Sequence, residues 1–480
     1  MAGDHDGTGA AARRVSAAAR RAIEAIVGAG AIVTGPVDLE PYTHDETEDL
    51  RYVPEVVVKP GTADEIAAIL RLANEEGIPV TPRGGGTGLS GGALAVRGGI
   101  VLSLERFNRI LEIDRENFFA VVQPGVITEN LQDAVEAVGL FYPPDPASRG
   151  SCTIGGNLAE CAGGPRALKY GVTKDYVYGL EAVMPTGEVV RFGGKLLKNV
   201  TGYNIPQLLI GSEGTLAIIT EVTLKLLPLP SHRKTLLVPF ARTRDAARTV
   251  ALVFQSGVVP CACEFMERAA LKAVEEHRGD KVPHSDAEAH LLFEVDGNDP
   301  EVLDREIDRI ASVCEENGAL ELLLAETPAR QKELWSTRRA MGEAVKKRSV
   351  YKEEDTVVPR YRLPELLEGV HAICDRHGIT AICYGHAGDG NIHVNLLKEG
   401  LDEETWNTVL PDAIREIFRH TVALGGSLTG EHGVGLVQRE FLPIALGEPE
   451  IEVLRRVKRA LDPRGILNPG KILPDADPTA

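Results

Sequence analysis

Apolar and polar positions along the chain follow helical spacing in some stretches and strand alternation in others. From Ala11 to Val27 an Ala/Arg/Ile pattern recurs at helical intervals, and the polar stretch Glu40 to Tyr52 then leads into an extended run from Glu55 to Lys59. Thr62 and Glu65 have capping-box spacing, and Ile66, Ile69, Leu70 and Ala73 follow on one helical face until Gly77. A second extended run, Ile78 to Thr81, passes into Pro82 and a glycine-dense loop. Further strands are predicted at Ile100 to Leu104, Phe118 to Gln123, Leu180 to Met184, Val189 to Phe192 and Leu216 to Leu226, with Thr186-Gly187 as a hairpin turn. Pro228 and Pro230 punctuate the end of this mixed α+β part.

Beyond Arg233 a new rhythm opens with a strand at Leu236 to Phe240 and a helix at Thr243 to Gln255. Strand and helix then alternate, with long charged helices near Glu301 to Asn317 and Ala329 to Lys347. Helices covering a single antiparallel sheet would suit that pattern, so the expected fold class is α+β throughout.

A chain of 480 residues is too long for one core, and 43% hydrophobic with 25% charged residues is the composition of a globular enzyme. The net charge of −18 argues against a nucleic-acid partner, which needs a basic face. An anionic substrate would therefore need a locally positive pocket. Seven scattered cysteines (Cys152, Cys161, Cys261, Cys263, Cys314, Cys374, Cys383) form no CxxC pair and no iron–sulfur ligand set, which suits a reduced, cytoplasmic setting. Met1 to Arg14 is polar and reads as a disordered start rather than a signal or anchor. No run approaches the roughly 20 apolar residues of a membrane span, so any membrane contact is expected through a partner.

Eight glycines lie between Gly84 and Gly99, many of them in Pro82-Arg83-Gly84-Gly85-Gly86-Thr87-Gly88-Leu89-Ser90-Gly91-Gly92. Glycine accepts positive φ, and successive N–H groups can then turn inward around an anion such as a pyrophosphate. Gly86, Gly88 and Gly91 also match GxGxxG, but Gly92, Gly98 and Gly99 follow where a helix should begin, which excludes a Rossmann site. A second loop runs from Pro143 through Ser148 to Ile154-Gly155-Gly156-Asn157 and Gly164, and a third is Gly211-Ser212-Glu213-Gly214-Thr215. Three such loops imply a long, thin ligand, for which a dinucleotide is suited.

The second half carries its chemistry in Tyr384-Gly385-His386-Ala387-Gly388-Asp389-Gly390-Asn391-Ile392-His393 and in Gly430-Glu431-His432-Gly433, both read as glycine-rich loops. His386, His393 and Glu431 offer the N, N, O set that leaves a divalent metal with open positions, and His432 remains as a base. Zinc is the usual ion for this set; manganese or iron would also accept it.

PRGGGTGLSGG from Pro82, IGGNLAECAGG from Ile154, GYNIPQLLIGSEGTLAIIT from Gly202 and ILNPGK at Ile466 to Lys471 resemble the signatures of FAD-linked oxidases of the vanillyl-alcohol-oxidase superfamily. Within it the similarity is to the group of the glycolate oxidase flavoprotein subunit, D-lactate dehydrogenase and D-2-hydroxyglutarate dehydrogenase. It runs from about Tyr52 to Lys471. The resemblance implies a tail and helix over 1–51, a two-part FAD-binding domain over 52–232, a substrate or cap domain with an antiparallel sheet over 233–424, and a segment over 425–480 that returns to the FAD.

It implies FAD contacts from Arg83, Gly84, Gly85, Gly86, Thr87, Gly88, Leu89, Ser90, Pro144, Asp145, Ser148, Gly155, Gly156, Asn157, Gly214, Ile218 and Asn468. Thr87 stands where some superfamily members attach the flavin through a His, so non-covalent FAD is implied, while Cys161 replaces an Asn carried by many relatives. By the same resemblance His386, His393 and Glu431 hold a metal, His432 is the base, and Arg338 and Asn395 contact substrate.

A 2-hydroxy acid unites these parts, because a metal can acidify its hydroxyl while its Cα hydride passes to flavin N5. Hydroxyglutarate-type relatives carry a Lys for the second carboxylate where Glu353 stands here, with Lys352 on the opposite face of an extended segment. The expectation is therefore a dehydrogenase of a short D-2-hydroxy acid, glycolate or D-lactate. The alternatives are D-2-hydroxyglutarate dehydrogenase, a non-catalytic flavin-binding electron-relay subunit, or a non-redox transferase on the same fold. Electrons would leave to a quinone, an electron-transferring flavoprotein or an iron–sulfur subunit, from a homodimer or a hetero-complex.

Overall fold

The computed structural model describes residues 14–475. Apart from Arg14, the polar start lies outside the described residues, as do the first residues of the Ala11 helical pattern. The described helix is Ala17–Val27, opened by Ser16, whose hydroxyl accepts from Ala19 N at 3.0 Å.

The first sheet has four strands in the order Ile32–Val33, Val56–Val58, Ile100–Ser103, Val80–Arg83. The last three are parallel, so Ala63–Glu76 is the helix of a crossover. Thr62 caps it by accepting from Glu65 N at 3.2 Å. Glu65 reaches back one residue further than a capping box requires, to Gly61 N at 2.6 Å. Gly77 (φ 69°) ends the helix in the left-handed conformation.

The second sheet is antiparallel, in the order Ile110–Asp114, Phe119–Val122, Ile218–Lys225, Val177–Val183, Val189–Gly193. Ile110–Asp114 escaped the sequence reading because its edge position leaves charged and exposed residues inside the strand. The end of the chain returns to the first sheet. Val80 N donates to Ile466 O at 2.8 Å, Asn468 N donates to Val80 O at 2.8 Å, and Ile466 and Leu467 are buried in the same core as Val56 and Ile66.

The third major sheet has seven antiparallel strands, in the order Leu323–Ala325, His232–Phe240, Ala289–Gly297, Ala262–Glu267, Thr380–His386, Asn391–Leu397, Tyr351–Val357. Helices Thr243–Gln255, Pro300–Glu316 and Leu363–His377 pack on one face through Val250, Ile307 and Leu366. Arg268–Arg278, Pro328–Arg339 and Met341–Arg348 pack on the other through Leu271, Leu334 and Val345. Both faces carry a buried apolar core, and successive residues Leu236, Leu237 and Val238 serve the two in turn. The single helix expected from Ala329 to Lys347 is two, broken at Ala340: the first piece lies against the sheet edge and the second against Arg268–Arg278. Among the described residues no helix is long and apolar enough to cross a membrane.

One buried ion pair holds the returning segment. Lys458 Nζ donates to Asp462 Oδ2 (2.6 Å), Thr215 O (2.7 Å) and Leu467 O (2.8 Å), while the Asp462 carboxylate also accepts from Ile466 N and Leu467 N. Asp462→Ala leaves that lysine without its counter-charge and two amides without an acceptor, so it should cost about 3–5 kcal/mol. Removing exposed Arg456 from the same helix should stay within about 0.5 kcal/mol. Denaturant midpoints of the two variants, followed by circular dichroism, check the contrast.

Candidate active site

Gly84 to Leu89 leave the strand Val80–Arg83 and line a cavity together with Ser148, Gly155, Gly156, Asn157, Gly214 and Ile218. Three separate stretches of chain thus meet around one space. Their close approach requires glycine: a Cβ on Gly85 would lie 2.6 Å from Ser151 O, and one on Gly214 (φ 66°) would lie 2.5 Å from Pro82 Cγ. Part of the second expected loop is a helix, Ile154–Glu160, whose paired glycines hid it from propensity.

Five residues expected at the cofactor do not line this cavity. Arg83 turns its guanidinium to Pro41 O and His44 O, both at 2.9 Å, and so anchors the N-terminal segment. Ser90 is buried, with its carbonyl taken by Leu436 N at 2.8 Å. Pro144 O accepts from Gln132 Nε2 at 2.8 Å. Asp145 faces Arg166, and burial pushes its carboxyl up to about 6. Asn468 donates to Gly92 O (2.9 Å) and Glu213 O (2.8 Å), so it braces two of the loops.

Glu431 and His432 line the same cavity from the far side. His386 is the last residue of Thr380–His386 and His393 lies inside Asn391–Leu397, so these histidines sit on paired strands rather than in loops. Period-two alternation puts Glu264, Tyr384, His386, His393, Asn395, Glu353 and Asp355 on one sheet face, that of Ile382, Leu397 and Tyr351. Glu431 Oε1 lies 3.2 Å from His386 Nε2 and 3.6 Å from His393 Nε2, and the His432 ring stacks on that of His393 at 5.2 Å and 14°.

The donor set fits a divalent cation. His386 Nδ1 meets Glu264 at 2.8 Å while its Nε2 meets Glu431, and against the cost of burial these two carboxylates hold the ring well above the usual histidine range, so Nε2 faces Glu431 across a positive charge. With one proton held on Nδ1, a divalent cation between Nε2 and Glu431 can supply that charge in place of a second proton. Burial and the neighbouring His432 bring His393 down to about 3, which keeps it in the neutral, ligating form. Burial opposes the charge of Glu431, yet His386 and His393 bring its carboxyl down to about 2.

Arg338 comes from Pro328–Arg339, which covers this face. Its Nε donates to Glu264 Oε2 at 2.7 Å, its Cζ lies 5.1 Å from the Tyr384 ring centroid, and its buried Nη2 has no partner. Asn395 donates to Ile382 O at 3.3 Å, and its buried Oδ1 is likewise without a partner. Glu353 Oε1 stands 3.4 Å from His393 Nδ1, while Lys352 turns to the other face and pairs with Glu48 at 3.2 Å.

Residues 54–193 match the FAD binding domain family, and residues 229–472 match the C-terminal domain of the FAD linked oxidases. The chain belongs to the FAD-linked oxidases. This oxidase is 41% identical over 432 residues to the glycolate oxidase subunit GlcD of Bacillus subtilis (strain 168), covering 90% of this chain and 91% of that one. It is 39% identical over 448 residues to a D-lactate dehydrogenase of Anaerostipes hadrus, covering 92% and 94%. It is 34% identical over 456 residues to a D-2-hydroxyglutarate dehydrogenase of Stutzerimonas stutzeri (strain A1501), covering 94% and 97%. The vanillyl-alcohol-oxidase fold implied by the glycine loops is borne out. p-Cresol methylhydroxylase shares it at a TM-score of 0.77 and 17% identity, with 95% of this chain and 97% of that one covered.

Two site residues of this oxidase escaped the sequence reading. Asp355 is fully buried, and its Oδ2 accepts from Thr429 Oγ1 (2.8 Å), Gly430 N (2.8 Å), Glu431 N (2.7 Å) and His432 N (2.9 Å). Burial opposes that charge, but His432, His393 and the converging donors hold the carboxyl well below the usual range. Glu264, also fully buried, bridges His386 and Arg338. Its signal was a carboxylate inside the apolar strand Ala262–Glu267, where a lone charge needs a partner. Glu264→Gln should keep the fold but weaken the binding of added zinc by His386, His393 and Glu431 about 10–100-fold, measured by competition with a chelator.

Proposed function

We propose that this protein is an FAD-dependent dehydrogenase that converts a short D-2-hydroxy acid, glycolate or D-lactate, to the 2-oxo acid. The observation that carries the reading is that His432 and Glu431 open into the cavity lined by Gly84 to Leu89, so a base and a dinucleotide cradle share one space. The named activities of the three relatives support hydroxy-acid oxidation. When bound, the flavin supplies a two-electron acceptor, and a divalent ion, zinc by the donor set, supplies a Lewis acid for the substrate oxygens.

His386, His393 and Glu431 would hold that ion. Arg338 binds the substrate carboxylate through its unpartnered Nη2, with the guanidinium held still by Glu264. This meets the demand for local positive charge on a chain of net charge −18. Asn395 offers its unpartnered Oδ1 to the substrate. The ring of His432, fixed by its stacking on His393, takes the hydroxyl proton. Glu353 presents a carboxylate on the same face, which repels a second substrate carboxylate and favours a monocarboxylate. The subunit names of the glycolate oxidase relatives support a place in a multi-subunit complex.

Anaerobic addition of D-lactate or glycolate should bleach the flavin absorbance; a flavin that stays oxidised with every small 2-hydroxy acid overturns the reading. His432→Ala should retain FAD and slow that bleaching by about 10²–10⁴-fold. Glu353→Lys should raise kcat/KM for D-2-hydroxyglutarate relative to D-lactate by about tenfold, a gain of roughly 1.4 kcal/mol in discrimination.

A further inference from the structure

Nine consecutive residues, Leu196 to Asn204, are exposed. They form the loop between the strand Val189–Gly193 and the short helix Ile205–Leu209. Polar residues are the rule in such a loop, yet Leu197 is 66% exposed, Val200 97% and Tyr203 92%, and Leu196 and Leu208 extend the apolar surface. None of these five lines the cofactor cavity, so a bound dinucleotide leaves them uncovered.

The charge around the patch runs against that of the chain. From Val189 to Ser212 there are three cations and no acidic residue, in a protein of net charge −18. Lys195 is tied back to Asp114 at 3.1 Å, whereas Lys198 and the exposed Lys174 make no ion pair among the described residues. An apolar centre holding a tyrosine, with a cationic rim, has the anatomy of a protein-docking site for an acidic partner.

Its position gives that partner a purpose. The helix Ile205–Leu209 is about 7.5 Å long, its far end, Leu209, lines the cavity, and Ser212, Glu213 and Gly214 follow in the cavity wall. A partner seated on the loop stands one short helix from the cofactor. We infer that the Leu196–Leu208 surface docks the electron-acceptor protein, a redox protein whose docking face is apolar with an acidic rim. This rests on the dehydrogenase reading above. Oxidation of the alcohol carbon to a carbonyl releases two electrons and two protons; the acceptor's redox centre takes both electrons and the protons go to solvent.

A second copy of the chain fits the surface poorly, because a two-fold interface would bring the same lysines face to face. A bilayer is also a poor occupant, since attraction of about 1 kcal/mol per lysine from two free lysines is set against the overall negative charge.

The test uses the FAD-loaded enzyme, D-lactate or glycolate, and two acceptors: dichlorophenolindophenol, a small dye, and purified electron-transferring flavoprotein. Lys198→Glu, Val200→Asp and Tyr203→Ser all lie on exposed positions. FAD content and dye turnover should stay within about twofold of the unaltered enzyme, which reports on the dehydrogenase chemistry by itself. Turnover with the flavoprotein should fall about tenfold in kcat/KM, and in the unaltered enzyme it should decline as salt rises. A dye rate of zero in the unaltered enzyme rejects the dehydrogenase reading, and the inference with it. Equal loss with both acceptors, an unchanged flavoprotein rate, or no transfer to it from the unaltered enzyme overturns the inference alone. So does a concentration-dependent dimer, or binding to phosphatidylglycerol vesicles, that the three variants abolish without changing the flavoprotein rate.

Discussion

The site depends on one carboxylate. Asp355 Oδ2 gathers three successive backbone N–H groups, from Gly430 to His432, and the Thr429 hydroxyl, while Oδ1 accepts from Asn391 Nδ2 at 2.6 Å. A turn whose amides all point inward is an anion-binding nest, and here the anion belongs to the protein. By filling it, the strand Tyr351–Val357 fixes the loop that carries Glu431 and His432 against the sheet that carries His386 and His393. Glu431 and His432 thereby gain the orientation that strand residues have from their ladder hydrogen bonds.

A similar economy joins the two halves. Glu213, in the third glycine-rich loop, accepts from Val434 N (2.8 Å) and Gly435 N (2.7 Å), and burial pushes its carboxyl up to about 7. Asn468 then ties that loop to Gly92 in the first. The residues after His432 are thus hydrogen-bonded directly to the cofactor cradle, and the base and the dinucleotide space share one frame. Preorganisation of this kind keeps reacting groups in place without reorganisation at the moment of reaction.

The seven-stranded sheet explains why the candidate ligands were visible in sequence while the residues that hold them were not. His386 and His393 fall in a glycine-flanked run whose residue types draw attention by themselves. Glu264 reaches them from 122 positions earlier, and Asp355 reaches His432 from 77 positions earlier, through strand pairings that no local pattern encodes. Arg338 was legible only by resemblance. Its role as a held guanidinium with one unpartnered nitrogen depends on Glu264 and Tyr384 lying beneath it.

By itself the sequence determined the rhythm of helices and strands, the glycine-rich loops of the FAD-binding half, and the residues that are candidates for ligand and base. Those are local properties, set by periodicity, by φ freedom and by side-chain chemistry. Only the tertiary structure decided that Arg83 turns to Pro41 and His44 and that Asn468 ties Gly92 to Glu213, that His386 and His393 stand on strands, and that Glu353 rather than Lys352 shares their face of the sheet. The physical reason is common to all of these. Which neighbour a polar side chain meets, and which face of a strand it occupies, is fixed by register and packing between segments far apart in the chain.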